Sequence, residues 1–258
     1  MQWQKGIVAI CLGLAWLSFG QVSQCANDQR AQEVVDRVSR LFASQSTIAT
    51  MEMQITKRGR QRKISMEFWS LDESDILLRI RSPQEDAGTA ILKEGNNIWY
   101  YLPKANRTVR LRPSMMMTSW MGSNFTLNDL VKQSRLTNDY EVAVSFEGQR
   151  NGIAVSEYTL TPKPAAAVVW GKITLEVRQS DRMPVWQRYF DEDGNLVRVL
   201  TFSEYKTVSG RLIPTQLTMQ SEGKAGKKTV DQTTVTYEKI IFNRPISKVI
   251  FSPRNLKP

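Results

Sequence analysis

Residues 100–130 read YYLPKANRTVRLRPSMMMTSWMGSNFTLNDL, and the rest of the chain is best understood outward from them. An aromatic strand over Asn97–Leu102 stops at Pro103, and a second strand follows a basic turn and ends near Arg112. Residues 115–121 then hold four methionines and a tryptophan and carry no charge. Because methionine is unbranched and adaptable, this segment either fills the protein's own core or offers an apolar surface to a ligand.

Most of the chain after residue 45 alternates apolar and polar residues with period two. This pattern is typical of antiparallel strands that have one buried and one solvated face. It predicts ten or eleven strands, which rarely stay flat and open. We therefore expect a mainly β (α+β) fold, with a strongly curved antiparallel sheet forming an incomplete barrel around an apolar cavity. The residues predicted on the concave face are Ile64, Met66, Phe68, Leu78, Ile80, Val144, Leu175 and Leu217.

Two helices are predicted beside the sheet. Residues 28–44 place apolar side chains at three- and four-residue steps, which indicates an amphipathic N-terminal helix. Thr126, followed by Asp129 three residues later, predicts the capped start of a short lid helix after the methionine-rich segment. Residues 161–167 read as a loop at the sheet rim rather than a linker, so residues 27–258 are predicted to form one domain.

The N-terminus has the pattern of a secretory signal peptide. Lys5 precedes the apolar run of residues 6–20, which is too short to span a bilayer comfortably. We predict a signal peptide over residues 1–26, cleavage near Ala26 and a periplasmic protein. Lipidation of Cys25 is the alternative, because residues 22–25 resemble a lipobox.

Removal of residues 1–26 would leave no cysteine and would lower the net charge from +10 to +9. Histidine is absent from the whole chain. Serine–histidine and cysteine–histidine catalysis are thereby excluded, and the main transition-metal ligands are missing. We predict a protein that is not an enzyme and needs no cofactor or metal, although a hydrolase using carboxylates alone stays open in principle.

The basic residues are spread thinly along the chain. Residues 58–63 and 224–228 are predicted to be solvated hairpin connections. We therefore expect no nucleic-acid partner. In an exported protein, transient contact with an anionic membrane surface is the better expectation.

A family resemblance covers nearly the whole mature chain. The resemblance rests on three groups of residues: Trp99 to Pro103 with Arg107, Val109 and Arg110; Gly122, Ser123, Asn124 and Phe125; and, upstream, Arg81, Ser82 and Pro83. This pattern resembles the outer-membrane lipoprotein-sorting proteins, relatives of the periplasmic carriers LolA and LolB. Asn124 stands where the family usually has aspartate. The resemblance implies a half-open β-barrel whose apolar concave face is covered by helices and holds acyl chains or lipoproteins.

From these observations we predict a periplasmic carrier that binds lipoprotein acyl chains or other lipids for sorting towards the outer membrane. The alternative is a non-shuttling accessory or sensor module of a lipid, RND-type or ABC-type export system, with an inner-membrane exporter as partner. Trp69 and Trp99 stand out because each lies on the face opposite its strand's most apolar residues. The residues predicted to line the cavity and its lid are Phe68, Leu78, Trp99, Tyr101, Met115, Met116, Met117, Trp120, Met121 and Phe125.

Overall fold

The computed structural model describes residues 18–72, 74–131, 136–222 and 228–257. Thirteen antiparallel strands form a single curved, open sheet. The strands are β1 Ser46–Lys57, β2 Arg60–Leu71, β3 Asp75–Ser82, β4 Ala90–Glu94, β5 Asn97–Leu102, β6 Arg107–Arg110, β7 Tyr140–Arg150, β8 Ile153–Pro162, β9 Lys172–Arg178, β10 Pro184–Phe190, β11 Leu196–Val208, β12 Arg211–Glu222 and β13 Lys228–Phe242. The helices are α1 Ser18–Ser39, α2 Leu127–Val131 and α3 Leu136–Asp139.

The sheet consists of two meanders joined in the middle. Strands β1 to β6 run outward to one edge, and the chain then crosses to β7 at the other edge and meanders back to β13. Strand β13 pairs with β1, so the two halves share one continuous sheet. The predicted curved, mainly β architecture is confirmed. The predicted count of ten or eleven strands is too low, since the sheet has thirteen.

Alternation within each strand decides which side chains are buried. In β1, Met51, Met53 and Ile55 are buried, whereas Glu52 and Gln54 between them are half-buried on the other face. Successive side chains of a strand point to opposite faces, so one face of the sheet collects most of the apolar residues. All eight residues predicted to share the concave face belong to the main core cluster or pack against it.

The opposite face carries a smaller apolar cluster in the first meander. Leu77, Leu92 and Tyr101 pack there with Phe251 and Leu256 from the C-terminal segment. Trp69 and Trp99 pack against the same cluster. The prediction that these tryptophans lie on the face opposite their strands' most apolar residues is therefore confirmed.

The N-terminal helix differs from its predicted bounds. Helix α1 begins at Ser18 and ends at Ser39, five residues before the predicted end at residue 44. Residues 40–43 form a tight turn instead, in which the Ala43 amide donates to the Arg40 carbonyl at 3.0 Å. This turn is stabilised by Arg211, whose Nη1 donates to the Ala43 carbonyl at 2.6 Å.

The short helix α2 has the predicted cap at its start. The Thr126 amide donates to Asp129 Oδ2 at 2.8 Å, and the Asp129 amide donates back to Thr126 Oγ1 at 3.2 Å. These reciprocal bonds form a capping box. They set the start of α2 at Leu127.

The connections agree in part with the sequence. Residues 191–195 connect β10 to β11 by a turn, and the predicted connection over residues 58–63 narrows to residues 58–59, because residues 60–63 belong to strand β2. Of the predicted signal peptide, residues 1–17 lie outside the described residues, as do residues 224–227 of the second basic connection. Across the described part of the chain, no helix has the length and hydropathy needed to cross a membrane.

Candidate functional site

The crossover segment leads from one edge of the sheet to the other, and its described parts, residues 111–131 and 136–139, carry the methionines and lie against the main core. Trp120, Phe125, Leu127 and Val131 from this segment are buried in the main cluster. Residues 119–126 form a narrow turn in which the Trp120 amide donates to the Phe125 carbonyl at 2.9 Å. The crossover segment is therefore a packed cover rather than a free loop.

Asn124 attaches the tip of this cover to the sheet. Its backbone amide donates to Thr233 Oγ1 at 2.9 Å, and Thr233 Oγ1 donates to Asn124 Oδ1 at 2.9 Å. Asn124 Nδ2 donates to Ser221 Oγ at 2.8 Å. Thr233 is fully buried in β13. The residue that departs from the family pattern is thus the one that joins the cover to β12 and β13.

A pocket of about 490 Å³ lies between the crossover segment, the end of α1 and strands β9 to β12. This volume falls within the roughly 300–1,000 Å³ of ligand pockets in proteins. The apolar lining residues include Val38, Leu41 and Phe42 near the end of α1; Met116, Met117 and Phe125 from the crossover segment; and Ile173, Leu200, Leu217 and Met219 from the sheet.

In the methionine-rich segment, some side chains fill the core and others line the pocket, so both roles predicted from the sequence are present. Trp120 is only 2% exposed and fills the core. Met116 and Met117 are half-buried and line the pocket. Met115 is 39% exposed, and Met121 lies with its sulfur 3.5 Å from the Tyr100 hydroxyl. The segment therefore contributes both to the core and to the pocket wall.

Other predicted site residues lie away from this pocket. Leu78 is buried in the main core, and Phe68 packs against that core from β2. Trp99 and Tyr101 lie in the cluster on the opposite face of the sheet, under the C-terminal segment. Of the ten predicted residues, the structure brings Met116, Met117 and Phe125 together around the pocket.

A buried ion pair borders the pocket. Arg198 Nη1 and Nη2 donate to the two carboxylate oxygens of Asp129 at 2.7 and 2.8 Å. The guanidinium carbon of Arg198 also lies 4.6 Å from the Trp170 ring centre and 4.3 Å from that of Tyr189, within cation–π range. Burial disfavours the charge, but the hydrogen bonds to Asp129 together with the electrostatic interactions with Tyr189 and Asp129 outweigh burial and raise the pKa of Arg198.

Sequence reasoning missed the polar side chains of this pocket. Arg198 and Gln187 are 5% and 6% exposed, respectively. A signal existed for Arg198, because it shares its strand face with Leu196 and Leu200, where an apolar residue is expected. An arginine at an inward position indicates a buried partner of opposite charge, here Asp129.

A larger recess of about 940 Å³ lies beyond the turn after α1. Its lining is mainly polar and includes Arg37, Arg40 and Arg211 around the β11–β12 connection. Because sites for apolar ligands are lined chiefly by hydrophobic and aromatic side chains, the smaller pocket is the better candidate despite its volume.

Three solved structures share the fold of this chain. A DUF1329 family protein from Desulfovibrio piger aligns with a TM-score of 0.78 at 20% identity, covering 90% of this chain and 99% of its own. A domain from Vibrio parahaemolyticus named as a candidate outer membrane lipoprotein-sorting protein aligns with a TM-score of 0.75 at 21% identity, covering 90% and 100%. A LolA superfamily protein from Nitrosomonas europaea aligns with a TM-score of 0.70 at 18% identity, covering 87% and 98%.

Sequence comparison extends this likeness. No curated protein matches the chain significantly. A protein-family model described as "Uncharacterized protein" matches residues 72–258, most of the chain. The chain therefore belongs to the family of that model and has the LolA-like fold of the outer-membrane lipoprotein-sorting proteins, which confirms the resemblance seen in its sequence.

Proposed function

We propose that this protein binds acyl chains of lipids or lipoproteins in the pocket beneath the crossover segment and carries them through the periplasm. The observation that supports this most directly is the composition of the pocket walls. Met116, Met117 and Phe125 face Leu217 and Met219 across a space large enough for a ligand. Apolar walls around an unfilled space gain free energy when an apolar ligand replaces water, at about 25 cal/mol per Å² buried.

The methionines suit a cover that must fit more than one chain. A methionine side chain has three rotatable bonds and a polarizable sulfur, so it repacks against ligands of different shape at low cost. Gly122 has a φ of +78°, and a Cβ at this position would meet no other atom within 4 Å. We propose that this turn lets residues 114–125 adjust when an acyl chain enters.

The proposed location follows from the N-terminus. We propose export by the signal peptide over residues 1–26, with the mature chain beginning close to Asn27 and Cys25 acylation as the anchored alternative. N-terminal sequencing of the protein from cell fractions tests this. A cytoplasmic protein that retains Met1 would contradict the proposal.

A pair of matched variants tests the binding function. We expect M116S together with M117S to weaken binding of a fluorescent fatty-acid probe at least tenfold, because both side chains line the pocket. M115S is the control, since Met115 is 39% exposed and lies outside the pocket lining. Unchanged probe affinity in a folded double variant would overturn the proposed site.

Native mass spectrometry of the protein purified from the envelope separates the carrier from its alternative. A carrier leaves the cell with lipid or an acylated protein bound. A sensor or exporter accessory is instead recovered without cargo and with a membrane partner after crosslinking, and that result would replace the proposal.

The larger recess beyond the turn after α1 supports a further part of the proposal, which is transient contact with an anionic membrane surface. Arg37 and Arg211 have no acidic partner within 4 Å in the described part of the chain. Such contact weakens steeply with salt. We expect cosedimentation with phosphatidylglycerol vesicles at low salt and its loss at high salt, and equal binding to neutral vesicles would contradict this.

A further inference from the structure

Two nearly buried polar side chains in the wall of the pocket, Gln187 and Tyr189, make no side-chain hydrogen bond within the described part of the chain. Gln187 and Tyr189 are alternate residues of β10, so both point to the helix-covered face of the sheet. Both line the pocket, and they are only 6% and 8% exposed. Across the described residues, neither the Gln187 amide nor the Tyr189 hydroxyl has a hydrogen-bond partner.

The neighbouring polar side chains Tyr140, Arg198 and Asp129 do bond to protein, although the Nε of Arg198 has no partner among the described residues. The Tyr140 hydroxyl donates to the Trp170 carbonyl at 3.4 Å. Arg198 and Asp129 bind each other through two hydrogen bonds. Buried polar side chains are satisfied in the large majority of cases. Gln187 and Tyr189 are therefore exceptions that need an explanation.

Water satisfies these two groups as long as the pocket is open to it. An acyl chain that enters the pocket displaces this water. A plain hydrocarbon would then leave both groups buried and unpaired, which costs free energy. A ligand that brings its own hydrogen-bonding atoms to this position avoids that loss. The two side chains therefore select for a polar group beside the acyl chain.

The kind of polar group follows from charge and protonation. Burial raises the pKa of the Tyr189 hydroxyl well above its ordinary value, so it stays protonated and can donate. Gln187 is uncharged and can both donate and accept. The one arginine among the described lining residues is already held by both carboxylate oxygens of Asp129. The pocket thus offers no unpaired cation to a free carboxylate, and it favours a neutral head.

We propose that Gln187 and Tyr189 bind the neutral carbonyl group, ester or amide, that joins an acyl chain to its carrier molecule. The Tyr189 hydroxyl donates to the carbonyl oxygen, and Gln187 binds the second polar atom of the ester or amide. This inference rests on the proposed function, because it assigns the chemical class of the ligand in the same pocket. It distinguishes acylated cargo from free fatty acid and from hydrocarbon.

Competition against a neutral apolar probe, N-phenyl-naphthylamine, tests the assignment in the full-length mature protein. The competitors share one chain length: methyl laurate, N-methyl lauramide, laurate and dodecane. We expect the ester or the amide to compete about tenfold better than dodecane, because dodecane leaves a hydrogen-bonding group unpaired. The ester or the amide should also compete better than laurate. Whichever of the two binds more tightly shows whether the natural head is a lipid ester or an N-acyl group.

Variants separate the polar contacts from the apolar wall. Q187L and Y189F should each reduce the preference for methyl laurate over dodecane, with both competitors measured against each variant's own probe affinity. Y140F is the matched control, because Tyr140 lines the same pocket but its hydroxyl already bonds to protein. A preference unchanged in both variants, or laurate binding better than the ester, would overturn the inference.

Failure of the inference differs visibly from failure of the proposed function. A parent protein that binds neither the probe nor any competitor contradicts acyl binding altogether. A parent that binds the probe and shows no preference between methyl laurate and dodecane contradicts only the carbonyl assignment. If a variant does not fold, this preference in the parent decides the matter alone.

Discussion

Arg198 on strand β11 and Asp129 on helix α2 form a two-point ion pair that joins the cover to the sheet. Their side chains are only 6% and 15% exposed. The same Asp129 carboxylate accepts the Thr126 amide bond that starts the helix. One carboxylate therefore sets both where the helix begins and where it lies on the sheet.

Removing this carboxylate should destabilise the protein strongly. We expect D129N to lower the free energy of unfolding by about 3–5 kcal/mol, because it leaves the Arg198 charge buried and without compensation. Urea unfolding followed by tryptophan fluorescence measures the change. E52Q is the control, since Glu52 pairs with Lys63 at the surface and should cost no more than about 1 kcal/mol. Similar losses in both variants would refute the structural role of the buried pair.

Asn124 should hold the cover in place. N124A removes the side-chain bonds to Thr233 and Ser221, and each contributes about 1 kcal/mol. We expect faster hydrogen exchange in residues 115–127, with β9 and β10 unchanged. N128A is a matched control in the same segment, because the Asn128 side chain has no hydrogen-bond partner among the described residues. Equal exchange in the two variants would show that the tip is held by packing alone.

Core packing on the helix-covered face should be tight outside the pocket. Leu175 is fully buried, and L175A should cost about 2–5 kcal/mol in the free energy of unfolding. Ile153 is 47% exposed at the start of β8, so I153A should change stability by no more than about 0.5 kcal/mol. Denaturant unfolding of both variants checks the contrast. A small loss for L175A would indicate that the cavity extends to β9.

Stability should fall at alkaline pH through Tyr140. Burial, together with the negative charge of Asp139, raises the pKa of Tyr140 to about 12, whereas an exposed tyrosine titrates near 10. The folded state therefore retains this proton while the unfolded state loses it. The contribution is fully present below pH 10 and is lost as the pH rises towards 12. Y140F should flatten this part of the stability–pH curve, and an unchanged slope would contradict the assignment.

The local sequence pattern was sufficient to predict several secondary-structure elements and, for most residues singled out, the face of the sheet on which the side chain lies. Strand β5 spans Asn97–Leu102 as predicted, and Thr126 caps α2 with Asp129. Period-two alternation correctly placed Ile64, Leu78 and Leu175 on one face. These features depend on residues close in the chain, whose spacing alone decides which side chains share a face.

The pocket depends on contacts between distant residues, and local pattern carries no record of them. The pairing of β1 with β13 joins two meanders, and the crossover segment between the outer edges then lies over β11 to β13. The role of a side chain also depends on which segment of the chain packs over its face of the sheet. Trp99 and Tyr101 looked like cavity residues, yet the C-terminal Phe251 and Leu256 cover them. Alternation distinguishes the two faces of a strand, but only the path of the chain decides which face encloses the pocket. That path places Met116 and Met117 in one pocket with three residues of the sheet, Gln187, Tyr189 and Arg198.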